Sequence, residues 1–145
     1  EAALPNTPPP IALQAVPTPT PGLAPPPSLP VLRGGQRGFD AIYSANTLHI
    51  MGWLQVQALF AGLPAVMAPD AVLAIYGPFN RDGQFTSDSN RAFDTMLRER
   101  DPASGIRDAE AVDALAASVG LQLIDDVALP ANNHCRVWRR LTAAS

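Results

Sequence analysis

The run Phe39-Asp40-Ala41-Ile42-Tyr43-Ser44-Ala45 constrains this chain more than any other stretch, because it is short, mostly apolar and ends abruptly in polar residues. Phe39, Ala41, Ile42, Tyr43 and Ala45 read as a strand buried on both faces, the kind found in mostly parallel sheets covered by helices. Just beyond it, Asn46, Thr47 and His49 bring amide, hydroxyl and imidazole groups to the strand's carboxyl end. Open α/β sheets leave their ligand crevice at that end. A second apolar strand, residues 71–76, breaks in the same way into Gly77-Pro78-Phe79-Asn80-Arg81-Asp82-Gly83. Two such ends side by side would make one site.

Between these strands, Trp53, Val56, Leu59, Phe60, Leu63, Val66 and Met67 recur at three- and four-residue intervals, which predicts an amphipathic helix on the sheet, kinked or split at Pro64. After the second strand, Thr86, Ser87 and Ser89 offer N-caps for a helix with Phe93, Met96 and Leu97 on one side and Arg91, Asp94, Arg98 and Glu99 on the other. It should stop near Asp101-Pro102. Asp108 caps a third helix, with Val112, Leu115, Ala116 and Val119 inward and Gly120 as its left-handed stop. Residues 121–129 and 134–140, joined through Pro130-Ala131-Asn132-Asn133, read as a closing antiparallel hairpin. Eleven of the sixteen prolines lie in the first thirty residues, so that segment should be extended and irregular. Its exception is the proline-free hexamer 11–16, read as a strand carrying Gln14; residues 17–38 read as a linker.

Composition narrows the function classes. A net charge of −3 and a pI near 5.1 supply no basic field to neutralise phosphates, so nucleic acid is not an expected partner. One cysteine, Cys135, builds no disulfide framework and suits a reducing cytosol, and no apolar run is long enough to predict a membrane span. The expected location is therefore cytoplasmic. The two histidines, His49 and His134, have no partner at ligand spacing, which predicts no metal, and no Gly-x-Ser-x-Gly elbow is present. His49 is either a base or ligand-holding imidazole or a packing residue, and at a strand end beside Asn46 the two readings weigh about equally. Asn46 bonds either a ligand amine or the loop backbone. Tyr76 reads as core or site, Asn80, Arg81 and Asp82 as turn or site, and Asn132-Asn133 as turn with or without a ligand.

Asn46-Thr47-Leu48-His49-Ile50 with Trp53, Tyr76 to Gly83, Ser89-Asn90-Arg91-Ala92-Phe93-Asp94, Gly105-Ile106-Arg107-Asp108 and Pro130-Ala131-Asn132-Asn133 together resemble the methyltransferase-like 26 family. The resemblance runs from about Gly38 to Arg140. It implies a class I methyltransferase-like α/β fold: a partial Rossmann-like sheet, mostly parallel, with a carboxyl-terminal antiparallel hairpin and helices on both faces. Residues 39–145 would be the carboxyl-terminal part of that domain, behind a Pro-rich segment at 1–38. It further implies S-adenosylmethionine as cofactor, with Gln14, Asn46 and Leu48 on the cofactor side, Asn46 and His49 catalytic, and Tyr76, Asn80, Arg81, Asn132 and Asn133 around the acceptor. The Gly-rich turn and acidic strand end that normally hold this cofactor match nothing before Phe39. The leading expectation is thus a methyltransferase, or its carboxyl-terminal fragment, acting on an undetermined small-molecule acceptor. The rival is a non-catalytic binding or scaffold domain with a degenerate methyltransferase fold.

Overall fold

A computed structural model describes residues 15–16, 22–23 and 38–141 of the chain. Strands β1 (Ala15–Val16) and β2 (Gly22–Leu23) form a small antiparallel ribbon against helix α1 (Trp53–Val66). The rest of the predicted hexamer 11–16, including Gln14, lies outside the described residues. The main sheet has the order β3-β4-β6-β5, built from β3 (Phe39–Ala45), β4 (Met67–Gly77), β5 (Leu121–Leu129) and β6 (Asn133–Arg140). β3 and β4 run parallel, whereas β4 with β6 and β6 with β5 run antiparallel. The expected α/β sheet with its terminal hairpin is present, and its described pairings are mixed.

Helices α1 and α3 (Ala109–Ser118) share one core with this sheet. Val56, Phe60 and Leu63 of α1 and Val112 and Ala116 of α3 join Leu73, Ile75 and Trp138 in it, with Ile42 packed alongside. The Phe60 and Trp138 rings meet edge to face at 6.4 Å, and full burial of each such side chain contributes roughly 1.5–3 kcal/mol. α1 is continuous through Pro64 and ends two residues later, so proline acts as a terminator here and not as a mid-helix break. Gly38, at φ +117°, abuts the junction of α1 and β4 so closely that a Cβ would come within 2.7 Å of Ala68 N. Only glycine fits there.

The other sheet face differs from expectation. Ala41, Tyr43 and Ala45 of β3 are exposed, Tyr43 to 67%, because α1 and α3 cover one face only. Among the described residues no helix covers the second face and no strand pairs with the outer edge of β3. Helix α2 (Asp88–Arg100) stands past the end of β4, and Ser87 Oγ caps it by accepting from Asn90 N at 3.0 Å. Its two faces are not divided as the periodicity predicts. Asp94 is buried, whereas Met96 is 39% exposed. The segment after α2 folds back, so that Asp94 Oδ1 accepts from Ile106 N at 2.8 Å and Oδ2 from Arg98 Nε at 2.8 Å. A carboxylate satisfied in this way tolerates burial.

One ion cluster ties the carboxyl-terminal half together. Arg136 on β6 is fully buried, its guanidinium 5.5 Å from the Phe79 ring centroid and 5.6 Å from that of Trp138. Its Nη2 donates to both oxygens of Asp113 on α3, at 2.7 and 2.6 Å, and its Nη1 to Asp126 on β5 at 2.5 Å. Asp126 also accepts from Arg81 and from His134 Nδ1. Burial alone would raise the Asp126 carboxyl, but the bonds from Arg81 and His134 and the charge of Arg136 together hold it below 3.8. The stability it supplies is present above that value and is lost as pH falls through the depressed range. Arg136→Met keeps the apolar stem and leaves two carboxylates without their shared cation. A loss of about 3 kcal/mol is expected in denaturant unfolding, part of it regained in the double variant with Asp126→Asn.

Candidate functional site

The parallel register of β3 and β4 sets Ala45 opposite Tyr76, so the two carboxyl ends stop level with each other. Asn46 then turns the chain in the left-handed region, at φ 54°, and its N–H donates to Tyr76 O at 2.9 Å. Asparagine adopts that conformation more readily than most residues. The turn carries His49 back over Gly77. A Cβ built on Gly77 would lie 3.7 Å from His49 Nδ1 and 3.9 Å from Asn46 Oδ1, so amide and imidazole converge on one backbone position of β4.

His49 is 5% exposed, and its ring meets Phe93 of α2 edge on, 5.4 Å between centroids. Burial, then the charge of Arg107, push its pKa below the ordinary 6.5, so the imidazole is neutral at pH 7. The backbone of this turn is fixed from the segment after α2. Gly105 N donates to His49 O at 2.9 Å, while Arg107 donates to Leu48 O at 3.5 Å, Met51 O at 2.5 Å and Ala103 O at 2.8 Å. One arginine thus holds three carbonyls.

Asn46, Pro78, Ser89, Phe93, Asn132 and Asn133 line a depression of about 350 Å³ past the two strand ends, together with Asn90 and Ala131. Its lining includes no charged side chain. Asn133 Nδ2 donates to Tyr76 Oη at 3.0 Å, and Asn132 Nδ2 to Ser89 Oγ at 3.5 Å. Ala131 and Asn132 both hold positive φ, 63° and 58°, so the hairpin loop reaches the depression at some backbone cost, of order 1–2 kcal/mol for the alanine.

Of the residues singled out from the sequence, Asn46, Asn132 and Asn133 meet in this depression and Tyr76 joins them through Asn133. His49 lies behind it, beside Asn46 and Phe93. The remainder are elsewhere. Leu48 is a core residue. Asn80 is buried where the turn after β4 meets the start of α3: its N–H bonds Arg107 O, its carbonyl Ala109 N, and its Nδ2 Ile106 O at 3.3 Å. Arg81 belongs to the Asp126 cluster. Gln14 lies outside the described residues. Phe93, which the periodicity puts on the apolar side of α2, and Arg107, for which the sequence suggested no role, are among the contributors the sequence did not assign, with Pro78, Ser89 and Asn90. Phe93 and Arg107 lie in the stretches 89–94 and 105–108 that carry the family resemblance, and that was the available signal.

Among the described residues no group of three or more His, Cys, Asp or Glu is placed to hold a metal ion, and no helix is long and apolar enough to cross a membrane.

Known proteins share this architecture. The O-methyltransferase family protein of Burkholderia thailandensis superposes with a TM-score of 0.64 at 12% identity, over 77% of this chain and 32% of its own. For the O-methyltransferase family 2 protein of Planctomyces limnophilus DSM 3776, solved in complex with apigenin, the values are 0.66, 16%, 72% and 31%. For CalO1, a methyltransferase in calicheamicin biosynthesis solved in its SAH-bound form, they are 0.58, 19%, 70% and 30%. The chain thus spans about a third of the length of the solved structures it matches, and at these identities the likeness is one of fold. The match at the level of sequence families is to a protein of unknown function, DUF938, over residues 1–140. On that match, the chain belongs to the DUF938 family.

Proposed function

We propose that this chain is the acceptor-side part of an S-adenosylmethionine-dependent methyltransferase of the methyltransferase-like 26 type, acting on a small, uncharged molecule. The observation that carries this reading is the convergence of Asn46 and His49 on Gly77, at level ends of parallel β3 and β4, beside an uncharged depression. The methyltransferase-like fold supports it, and so do relatives solved with SAM or SAH, among them LepI and CalO1. The described residues fit the cofactor at one point: Asn46 is exposed at the strand end and offers both a donor and an acceptor.

S-adenosylmethionine, when bound, supplies a methyl group on a sulfonium sulfur. The chain's own residues then act chiefly by positioning. Phe93 gives the acceptor a flat apolar wall, and Asn132 and Asn133 give its polar groups hydrogen-bond partners. His49, neutral because it is buried, takes the proton of an acceptor hydroxyl that reaches over Gly77. Asn46 orients that hydroxyl. Catalysis in this form needs no charged residue in the depression.

Isothermal titration of the full gene product with S-adenosylmethionine is expected to give saturable heat with micromolar affinity. A folded protein that gives none up to millimolar ligand would favour the scaffold reading. Gly77→Ala puts a methyl group at ordinary contact distance from both His49 and Asn46. It should shift stability by no more than about 0.5 kcal/mol while blocking turnover. Equal turnover in this variant would remove the Gly77 position from the site.

Protonation of His49 gives an independent check. The folded state takes up this proton less readily than the unfolded state does, so stability is full above 6.5 and declines as pH falls below it. Between pH 7.5 and 5 the melting temperature of the wild type should fall further than that of His49→Gln. Parallel curves would mean that the ring is not held neutral.

A further inference from the structure

A second depression, of about 400 Å³, adjoins the His49 turn and has a different chemistry. Trp53, Arg98, Arg107 and Asp108 are among its lining residues. Arg107 spends Nη2 and Nε on the carbonyls of Leu48, Met51 and Ala103, and its guanidinium lies over the Trp53 ring, 5.7 Å from the centroid. Arg98 spends Nε on Asp94. Its guanidinium lies so close to Gly105 that a Cβ there would stand 2.6 Å from Nη2. Among the described residues, Arg107 Nη1 and both terminal nitrogens of Arg98 bond no protein acceptor. Two guanidiniums therefore share one depression with donors to spare. Burial first and the charge of Arg98 second lower the pKa of Arg107, with Asp94 partly offsetting them. Both oxygens of Asp94 are already engaged, by Ile106 N and Arg98. The other carboxylate is Asp108, at the N-cap of α3, whose side chain makes no cap bond.

Like charges brought together around a hollow, with unspent planar donors, are what an oxyanion satisfies. We propose that this depression binds the carboxylate or phosphate of a small molecule through Arg98 and Arg107, and that Asp108 favours ligands carrying a hydroxyl or ammonium group beside that oxyanion. The site stands apart from the uncharged depression at Asn46 and does not depend on the methyltransferase reading. Because Arg107 holds the turn that carries His49, an anion seated here would also be felt at that ring.

The test is isothermal titration of the full chain, without cofactor and at low ionic strength, with inorganic phosphate in one arm and acetate in the other. Saturable binding of at least one is expected, and the tighter arm identifies which oxyanion the site prefers. Arg98→Gln should weaken it by about tenfold, the loss of one charge-assisted hydrogen-bonding partner. Asp108→Asn keeps a capping residue, removes the repelling carboxylate and should tighten it. Melting curves establish that each variant is folded. If Arg98→Gln does not fold, Arg98→Lys, which keeps the charge and loses the planar fork, should bind more weakly than the wild type. No saturable heat with either probe, or wild-type affinity in the folded Arg98 variant, would overturn the proposal.

Discussion

A guanidinium with no exposed surface can persist only where its charge is answered, and Arg136 is answered by two carboxylates from two different elements. Asp113 draws α3 onto β6, Asp126 draws β5, and the rings of Phe79 and Trp138 flank it. Such a cluster is a weak source of net stability, since desolvating three charges offsets most of their attraction. It is a strong source of geometry. Arg136 lies three residues from Asn133, so the contacts that position Arg136 also fix where β6 begins and bring Asn133 to Tyr76. Asn133, which lines the uncharged depression, begins the strand that carries Arg136.

The two strand ends divide their labour by chemistry. Asn46 is exposed and takes the left-handed turn, while His49 is buried against Phe93 and kept neutral by its surroundings. Next to them lies a depression with guanidinium groups in its wall, reached through the same turn. A molecule that spanned both would meet an uncharged, partly aromatic face at one end and an anion-binding face at the other. Arg107 is the hinge of this arrangement, because its side chain bonds the carbonyls of the His49 turn and its charge is felt by both the ring and the second depression.

Much of this was legible in the sequence. The polar breaks at the ends of β3 and β4, the apolar stripe of α1, a capping residue before α2 and the β5–β6 hairpin all follow from local pattern, since apolar periodicity and turn chemistry are local quantities, although α1 runs through Pro64 without the expected kink. Asn46 and the Asn132-Asn133 pair were legible as strand-end and turn residues, and the fold brings them together. What local pattern could not carry was pairing at a distance. Asp94 looks like a solvated carboxylate until the backbone of Ile106 is placed beside it, and Arg81 looks like a site residue until Asp126 arrives from forty-five positions away. Leu48, set on the cofactor side by the family resemblance, turns into the core because the short turn at residues 48–50 rotates it inward. The apolar run of β3 implied burial on two faces, but a run of apolar residues does not say whether its second cover is present, and among the described residues it is not.

The order of strands in the main sheet also bears on how the chain reaches this state. β5 and β6 are joined by a short loop and can zip locally, on the microsecond scale of hairpins. β4, flanked by β3 and β6, finds β3 only across α1 and finds β6 only after α2, α3 and β5 have been made. Closing those long loops costs entropy before any contact repays it, which slows folding of such topologies relative to local ones. In the chain order, the second neighbour of β4 is made last, and Leu73 and Ile75 complete their packing only when β6 brings Trp138 to them. During synthesis, a ribosome that has made everything up to β4 carries an uncapped sheet, and the carboxyl-terminal hairpin is the piece that closes it.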